Sequence, residues 1–206
     1  RTPNPARETR ALPGIKTPEP KGQPAIFLDR DGTLMTDIAY CGDPARVSVF
    51  PGAAAALARL QARGYRLILV TNQSGIGRGY FTEADFAAVQ REFFRQLGPG
   101  ILDAAYHCPD APDAATDRRK PGAGMIFEAA AEHALDLTRS FLIGDSAADL
   151  LCARNAGLAG VVLVRTGSGY DPAQNQHPPP DFLADDLGAA TDWILAAAAT
   201  ERQHHG

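Results

Sequence analysis

Five short apolar runs recur along this chain: Ala25–Leu28, Leu67–Val70, Ala104–His107, Phe141–Ile143 and Val161–Val164. Most lack any alternation of apolar with polar residues. A strand with one wet face alternates, whereas a strand covered on both faces reads as a continuous apolar run, the habit of parallel sheets with helices on each side. Helical patterns separate the runs. They cover Pro51–Arg63, stopped by Gly64; Thr82–Leu97, opening on Thr-Glu-Ala-Asp as a cap with first-turn acids; Gly122–Leu135; Ala147–Asn155, ended before Gly157; and Asp186–Thr200. Phe182–Ala184 fits a short sixth strand. Phe93, Phe94 and Trp193 fall on predicted helices, where packing explains them. The alternation predicts a doubly wound α/β three-layer sandwich with a mainly parallel sheet.

With 206 residues the chain can fill one core, and residues 25–206 are expected to form a single domain. Residues 1–24 carry six prolines and no hydrophobic period; they read as an extended or disordered arm rather than a signal peptide. A net charge of −4 argues against nucleic-acid binding through the overall field. No stretch approaches about 18 consecutive apolar residues, so no membrane span is expected. Cys41, Cys108 and Cys152 are odd in number and far apart, which suits a reducing cytoplasm. A monomer is the favoured state.

In an open parallel sheet, reactive residues belong at the carboxyl ends of strands. The first run ends Asp29-Arg30-Asp31-Gly32-Thr33, the second Thr71-Asn72-Gln73-Ser74-Gly75, and the fourth Gly144-Asp145, with Asp149 one turn later. Lys120 stands before a predicted helix, with Pro121 suited to its first turn. Each Asp taken singly fits a helix cap or a turn. Together, several carboxylates with few cations repel one another unless a divalent metal joins them, and an oxygen-only set favours Mg²⁺. Such parts suit phosphoryl chemistry. One carboxylate can attack phosphorus and a second can exchange protons with leaving group and water, while a hydroxyl and an ammonium hold the remaining oxygens. Asp29, Asp31, Thr71 and Lys120 supply that set. The glycines of Gly75-Ile-Gly-Arg-Gly79 lack the spacing of a dinucleotide fingerprint.

Asp29-x-Asp31-Gly-Thr33, Thr71, Lys120 and Gly144-Asp145-x-x-x-Asp149 together resemble the four motifs of the haloacid dehalogenase superfamily of phosphohydrolases, over roughly Ala25 to Gly167. The resemblance implies Asp29 as nucleophile, Asp31 as general acid/base, and Thr71 and Lys120 as phosphate binders. It also implies Mg²⁺ held by Asp29, the Asp31 carbonyl and Asp145, with Asp149 in support. The longer matches Phe27–Thr33, Val70–Thr82, Arg119–Pro121 and Val164–Gly167 are similar to the D-glycero-D-manno-heptose 1,7-bisphosphate phosphatases. Their relatives, the histidinol-phosphate phosphatases, share part of these stretches. The implied reaction is hydrolysis of the sugar's 7-phosphate, serving lipopolysaccharide synthesis. A histidinol-phosphate phosphatase, another small phosphomonoesterase, a phosphotransferase or mutase, and a catalytically silent binding protein on the same fold are the alternatives.

One departure stands out. The relatives carry a zinc loop, Cys-x-His and then Cys-x-Cys before Arg-Lys-Pro; here those positions read Cys108-Pro-Asp110 and Thr116-Asp117-Arg118. One soft ligand of four remains, so no structural zinc is expected, and prolines and contacts between Asp residues and Arg118 are expected to shape the loop. A second phosphate on the substrate calls for arginine: Arg119 first, then Arg78, with Asn72 as an amide donor. For Arg30 and Arg165 a binding role and a structural one stand even. Thr33 to Thr71 is a step of 38 positions and Thr71 to Lys120 one of 49, too short for a large cap domain.

Overall fold

The computed structural model describes residues 22–114, 116–167, 169–173 and 176–203. Six strands form one sheet: β1 (Ala25–Leu28), β2 (Arg66–Asn72), β3 (Ala104–Cys108), β4 (Phe141–Gly144), β5 (Gly160–Val164) and β6 (Phe182–Ala184). Their order is β3-β2-β1-β4-β5-β6, and every pairing is parallel. The helices are α1 (Ala53–Ala62), α2 (Ser74–Gly77), α3 (Glu83–Leu97), α4 (Gly124–His133), α5 (Ala147–Asn155) and α6 (Leu187–Gln203).

The continuous apolar runs have a simple cause: alternate residues of one strand feed two different cores. Ile26, Leu28, Leu67, Leu69, Val162 and Val164 pack with Leu57 and Leu60 of α1, Val89 and Phe93 of α3, and Ile194 of α6. Ala25, Phe27, Ile68, Val70, Val161 and Leu163 face the other way, onto Met125, Ile126 and Ala129 of α4 and Leu150 and Ala153 of α5. Each fully buried Leu, Ile or Phe contributes about 1.5–3 kcal/mol, against about 0–1 kcal/mol for an exposed pair such as Arg59–Asp192. The two apolar layers therefore fix the strand ends. Phe93 is fully buried and Trp193 stacks on Phe182, as packing residues should.

Several boundaries move. β2 extends to Asn72, so Thr71 and Asn72 lie in the strand rather than beyond it. The glycine-rich segment after it forms the short α2, whose Gly77 N–H donates to Pro109 O at 2.9 Å. A Cβ at Gly77 would stand 2.7 Å from that oxygen, so the close approach requires glycine. Pro121 is not in the first turn of α4, which begins at Gly124; the Lys120–Pro121 peptide is cis. Gln23, expected in the N-terminal arm, bridges to Leu135, and Pro24 O accepts from Arg66 N, so this end of the arm is joined to the domain. Residues 1–21 lie outside the described residues. No described helix is long and apolar enough to cross a membrane.

Candidate active site

The chain lays down β1, β2 and β3 in one direction, then returns to place β4 on the other side of β1. The carboxyl ends of β1 and β4 thus flank the point where strand order reverses, and the crevice of such a sheet opens there. Asp29 follows β1 and donates its N–H to Ile143 O of β4 at 3.0 Å, which carries the pairing one residue further. Asp145 follows β4. Asp149 sits in the first turn of α5, where Ser146 and Asp149 form a reciprocal capping box. One carboxylate oxygen from each of Asp29, Asp145 and Asp149 lies within 4.8 Å of the others, and all three residues are buried.

Lys120 reaches into this group. Its Nζ donates to Asp29 Oδ1 at 2.6 Å, to Asp149 Oδ1 at 2.6 Å and to Val70 O at 2.9 Å, which uses all three ammonium hydrogens. Asn72 fixes the backbone of this lysine from both sides: Nδ2 donates to Lys120 O and Oδ1 accepts from Lys120 N, each at 3.0 Å. The amide expected to meet substrate is engaged in holding Lys120.

With all three buried carboxyls ionised, the one ammonium would leave two negative charges uncompensated. Burial raises the Asp29 carboxyl well above its ordinary value; Lys120 opposes this, and Asp149 and Asp145 add to it. Burial and the neighbouring Asp149 push Asp145 up to about 6. Burial works against the charge on Lys120, but Asp149 and Asp29 outweigh it and hold the ammonium protonated. A divalent cation is the species that would relieve this excess, and the all-oxygen donors suit a hard ion. The surroundings are built closely around Asp145. A Cβ on Gly167 would stand 1.9 Å from Asp145 Oδ2 and one on Gly32 2.6 Å from it, so only glycine fits at either position.

Asp31 sits apart from this group. Its carboxylate accepts from Arg30 and from Gln73 Nε2, the latter at 3.0 Å, and Gln73 Nε2 also reaches Thr71 Oγ1 at 2.8 Å. Thr71 itself is buried at the end of β2. Asp31, Asp37, Tyr40, Asn72, Gln73 and Phe81 line a cleft of about 280 Å³ beside these groups. Arg78 lies with its guanidinium 6.0 Å from the Tyr40 ring, and Tyr40 meets Tyr80 edge-on at 4.6 Å. Arg119 donates to Asp110 O at 3.0 Å, and Arg165 pairs at the surface with Asp185.

The loop ahead of Lys120 is organised around Asp110, whose Oδ2 accepts from Thr116 Oγ1 at 2.7 Å and from Cys108 Sγ at 3.3 Å. Arg118 forms its direct ion pair with Glu128 of α4 and donates to His107 O, while its charge, after the Thr116 and Cys108 hydrogen bonds, helps hold the Asp110 carboxyl below its ordinary value. Sequence reasoning did not assign Gln73, Ser146 or Tyr40 a role, and it left Arg30 even between a binding and a structural one. Gln73 carried a usable signal, since it stands two residues beyond Thr71, one past the end of β2, where the strand's alternation would still point it to the same side. Tyr40 carried none: its φ of 54° and its place at the cleft depend on how the 33–50 segment folds back.

The chain is similar to known proteins over most of its length. Residues 117–190 match the HAD-hydrolase-like family. D-glycero-D-manno-heptose-1,7-bisphosphate 7-phosphatase of Thermosynechococcus vestitus is 38% identical over 193 residues, covering 86% of this chain and 98% of the relative. D-glycero-beta-D-manno-heptose-1,7-bisphosphate 7-phosphatase of Rhodopseudomonas palustris is 42% identical over 147 residues, covering 67% and 82%. The crystal structure of the D,D-heptose 1,7-bisphosphate phosphatase of B. bronchiseptica, complexed with magnesium and phosphate, superposes with a TM-score of 0.77. It is 35% identical and covers 84% of this chain and 99% of its own.

Proposed function

The chain belongs to the haloacid dehalogenase-like hydrolases, among their heptose bisphosphate phosphatase relatives, and on that premise we propose that it hydrolyses the 7-phosphate of D-glycero-D-manno-heptose 1,7-bisphosphate through an aspartyl-phosphate on Asp29. The observation that carries this reading is the meeting of Asp29, Asp145, Asp149 and Lys120 at the strand ends, with Asp31 and Thr71 beside them. Asp29, Asp145 and the Asp31 carbonyl would hold Mg²⁺, with Asp149 in support. The ion would supply positive charge against the phosphate oxygens.

In the first step a carboxylate oxygen of Asp29 bonds to phosphorus as the bond from phosphorus to the sugar oxygen breaks. The departing oxygen keeps the electron pair and takes a proton from Asp31. In the second step a water gives a proton to Asp31 and bonds to phosphorus, and the bond to Asp29 breaks. Inorganic phosphate leaves and both carboxyl groups return to their starting states. Lys120, anchored through its backbone by Asn72, and the hydroxyl of Thr71 bind the non-bridging oxygens of the phosphoryl group. Arg119 and Arg78 are the cations for the sugar's second phosphate.

Phosphate release from both anomers of the heptose bisphosphate, from histidinol phosphate and from generic phosphate esters tests the assignment. The heptose bisphosphate is expected to give the highest kcat/KM. If it turned over no faster than generic esters, the heptose assignment would fall and a broad phosphomonoesterase would stand.

A further inference from the structure

Arg30 is the largest fully buried side chain among the described residues, and the chemistry described above does not use it. Its backbone carbonyl closes the turn after β1, accepting from Leu34 N at 2.9 Å and Met35 N at 3.1 Å. That turn swings two adjacent side chains onto one another. Nε donates to Asp31 Oδ2 at 3.1 Å, and Nη2 lies 3.3 Å from Oδ1. The far side of the guanidinium is tied to α3. Nη1 donates to Gln90 Oε1 at 3.0 Å, and the group lies 5.5 Å from the centre of the Phe86 ring. Phe86 and Gln90 are four residues apart and share one face of α3, whose register is set by the capping box of Thr82 and Asp85.

A fork of this kind holds a carboxylate plane by two bonds, which a lysine cannot do. We propose that Arg30, braced by Gln90 and Phe86, is a positioning residue that holds the Asp31 carboxylate toward the cleft for proton exchange with leaving group and water. The proposal rests on the reading of Asp31 as general acid/base and assigns α3 a part in catalysis without contact to substrate.

The test compares glycerol phosphate with 4-nitrophenyl phosphate. The alkoxide of the first must be protonated as it leaves, whereas 4-nitrophenolate departs unaided, so misplacing the acid affects the first ester more. In Arg30→Lys the kcat/KM ratio of glycerol to nitrophenyl ester, which reports the step in which the ester oxygen leaves, is expected to fall about tenfold, and in Gln90→Leu about threefold. Gln90→Glu keeps an acceptor for Nη1 and is expected to keep the wild-type ratio. Asp31→Asn is the reference and should show the largest fall. Where Arg30→Lys does not fold, the two Gln90 variants carry the test. Equal losses of kcat/KM on both esters, or no loss, would overturn the positioning role while Asp31→Asn still supports the acid/base reading. An unchanged ratio in Asp31→Asn would overturn that reading and the proposal with it.

Discussion

The Lys120 ammonium donates to Asp29 Oδ1 at 2.6 Å across 91 residues of chain. The same nitrogen holds Asp149 at the same distance, so one buried cation serves two buried acids. Removing it leaves both carboxylates without their shared cation, and Asp149 with only its Ser146 donors. Lys120→Met is expected to destabilise the protein by about 3–5 kcal/mol in the absence of metal. Because protonation relieves the raised Asp29, the loss in thermal unfolding should be greater at alkaline than at mildly acid pH. A loss that does not vary with pH would count against the two-acid pairing.

Asp29→Asn is expected to lower kcat by at least about 10³-fold, because no neighbouring group can replace the attacking oxygen. Stability should move the other way. The fold already favours the uncharged form of this carboxyl, so a neutral isostere should leave the metal-free melting temperature level or higher. Circular dichroism melts beside single-turnover assays check both halves.

The Asp145 carboxyl, ordinarily near 3.8, is pushed up to about 6 by burial and Asp149. The folded state thus holds this proton more tightly than the unfolded chain does. Its contribution to stability is present below the ordinary value and is lost as pH rises through about 6. A bound divalent cation removes the penalty on ionisation. The gap in melting temperature between Mg²⁺-loaded and chelated protein is therefore expected to widen as pH rises from about 4 through 6. A constant gap over that interval would contradict it.

Gly167→Ala would set a methyl group 1.9 Å from Asp145 Oδ2. Asp145 must then move, and the Mg²⁺ concentration for half-maximal activity is expected to rise about 10–100-fold. Gly157→Ala is the contrast. Its φ is +68° with open space around the new methyl, so stability should fall by about 1–2 kcal/mol with metal activation unchanged. Titration of activity against Mg²⁺ separates the two.

The sheet was legible because its pattern follows from burial on both faces: Ile26 and Phe27 are neighbours in sequence that serve opposite cores. The acidic centre was legible for a related reason, since Asp29 and Asp145 follow directly on buried runs and strand ends locate them. What lay hidden were contacts between distant segments. Nothing local distinguishes Asn72 as a clamp on a backbone 48 residues away. Arg30 could not be told from a surface charge without the position of α3. Pro121 suited a first helical turn by its ring geometry, but Gly122 and Gly124 pack against the backbone at Asp117 and delay the helix.

Asp149 divides its carboxylate between two tasks, with Oδ2 capping α5 through Ser146 and Oδ1 holding Lys120. Local opening of the first turn of α5 and the placement of the ammonium therefore draw on one side chain. An oxyanion that draws Lys120 away frees Asp149 Oδ1 and with it changes the hold on that turn. The amides of Ser146 and Asp149 thus become reporters of occupancy, their hydrogen exchange changing with phosphate although both amides bond within the capping box.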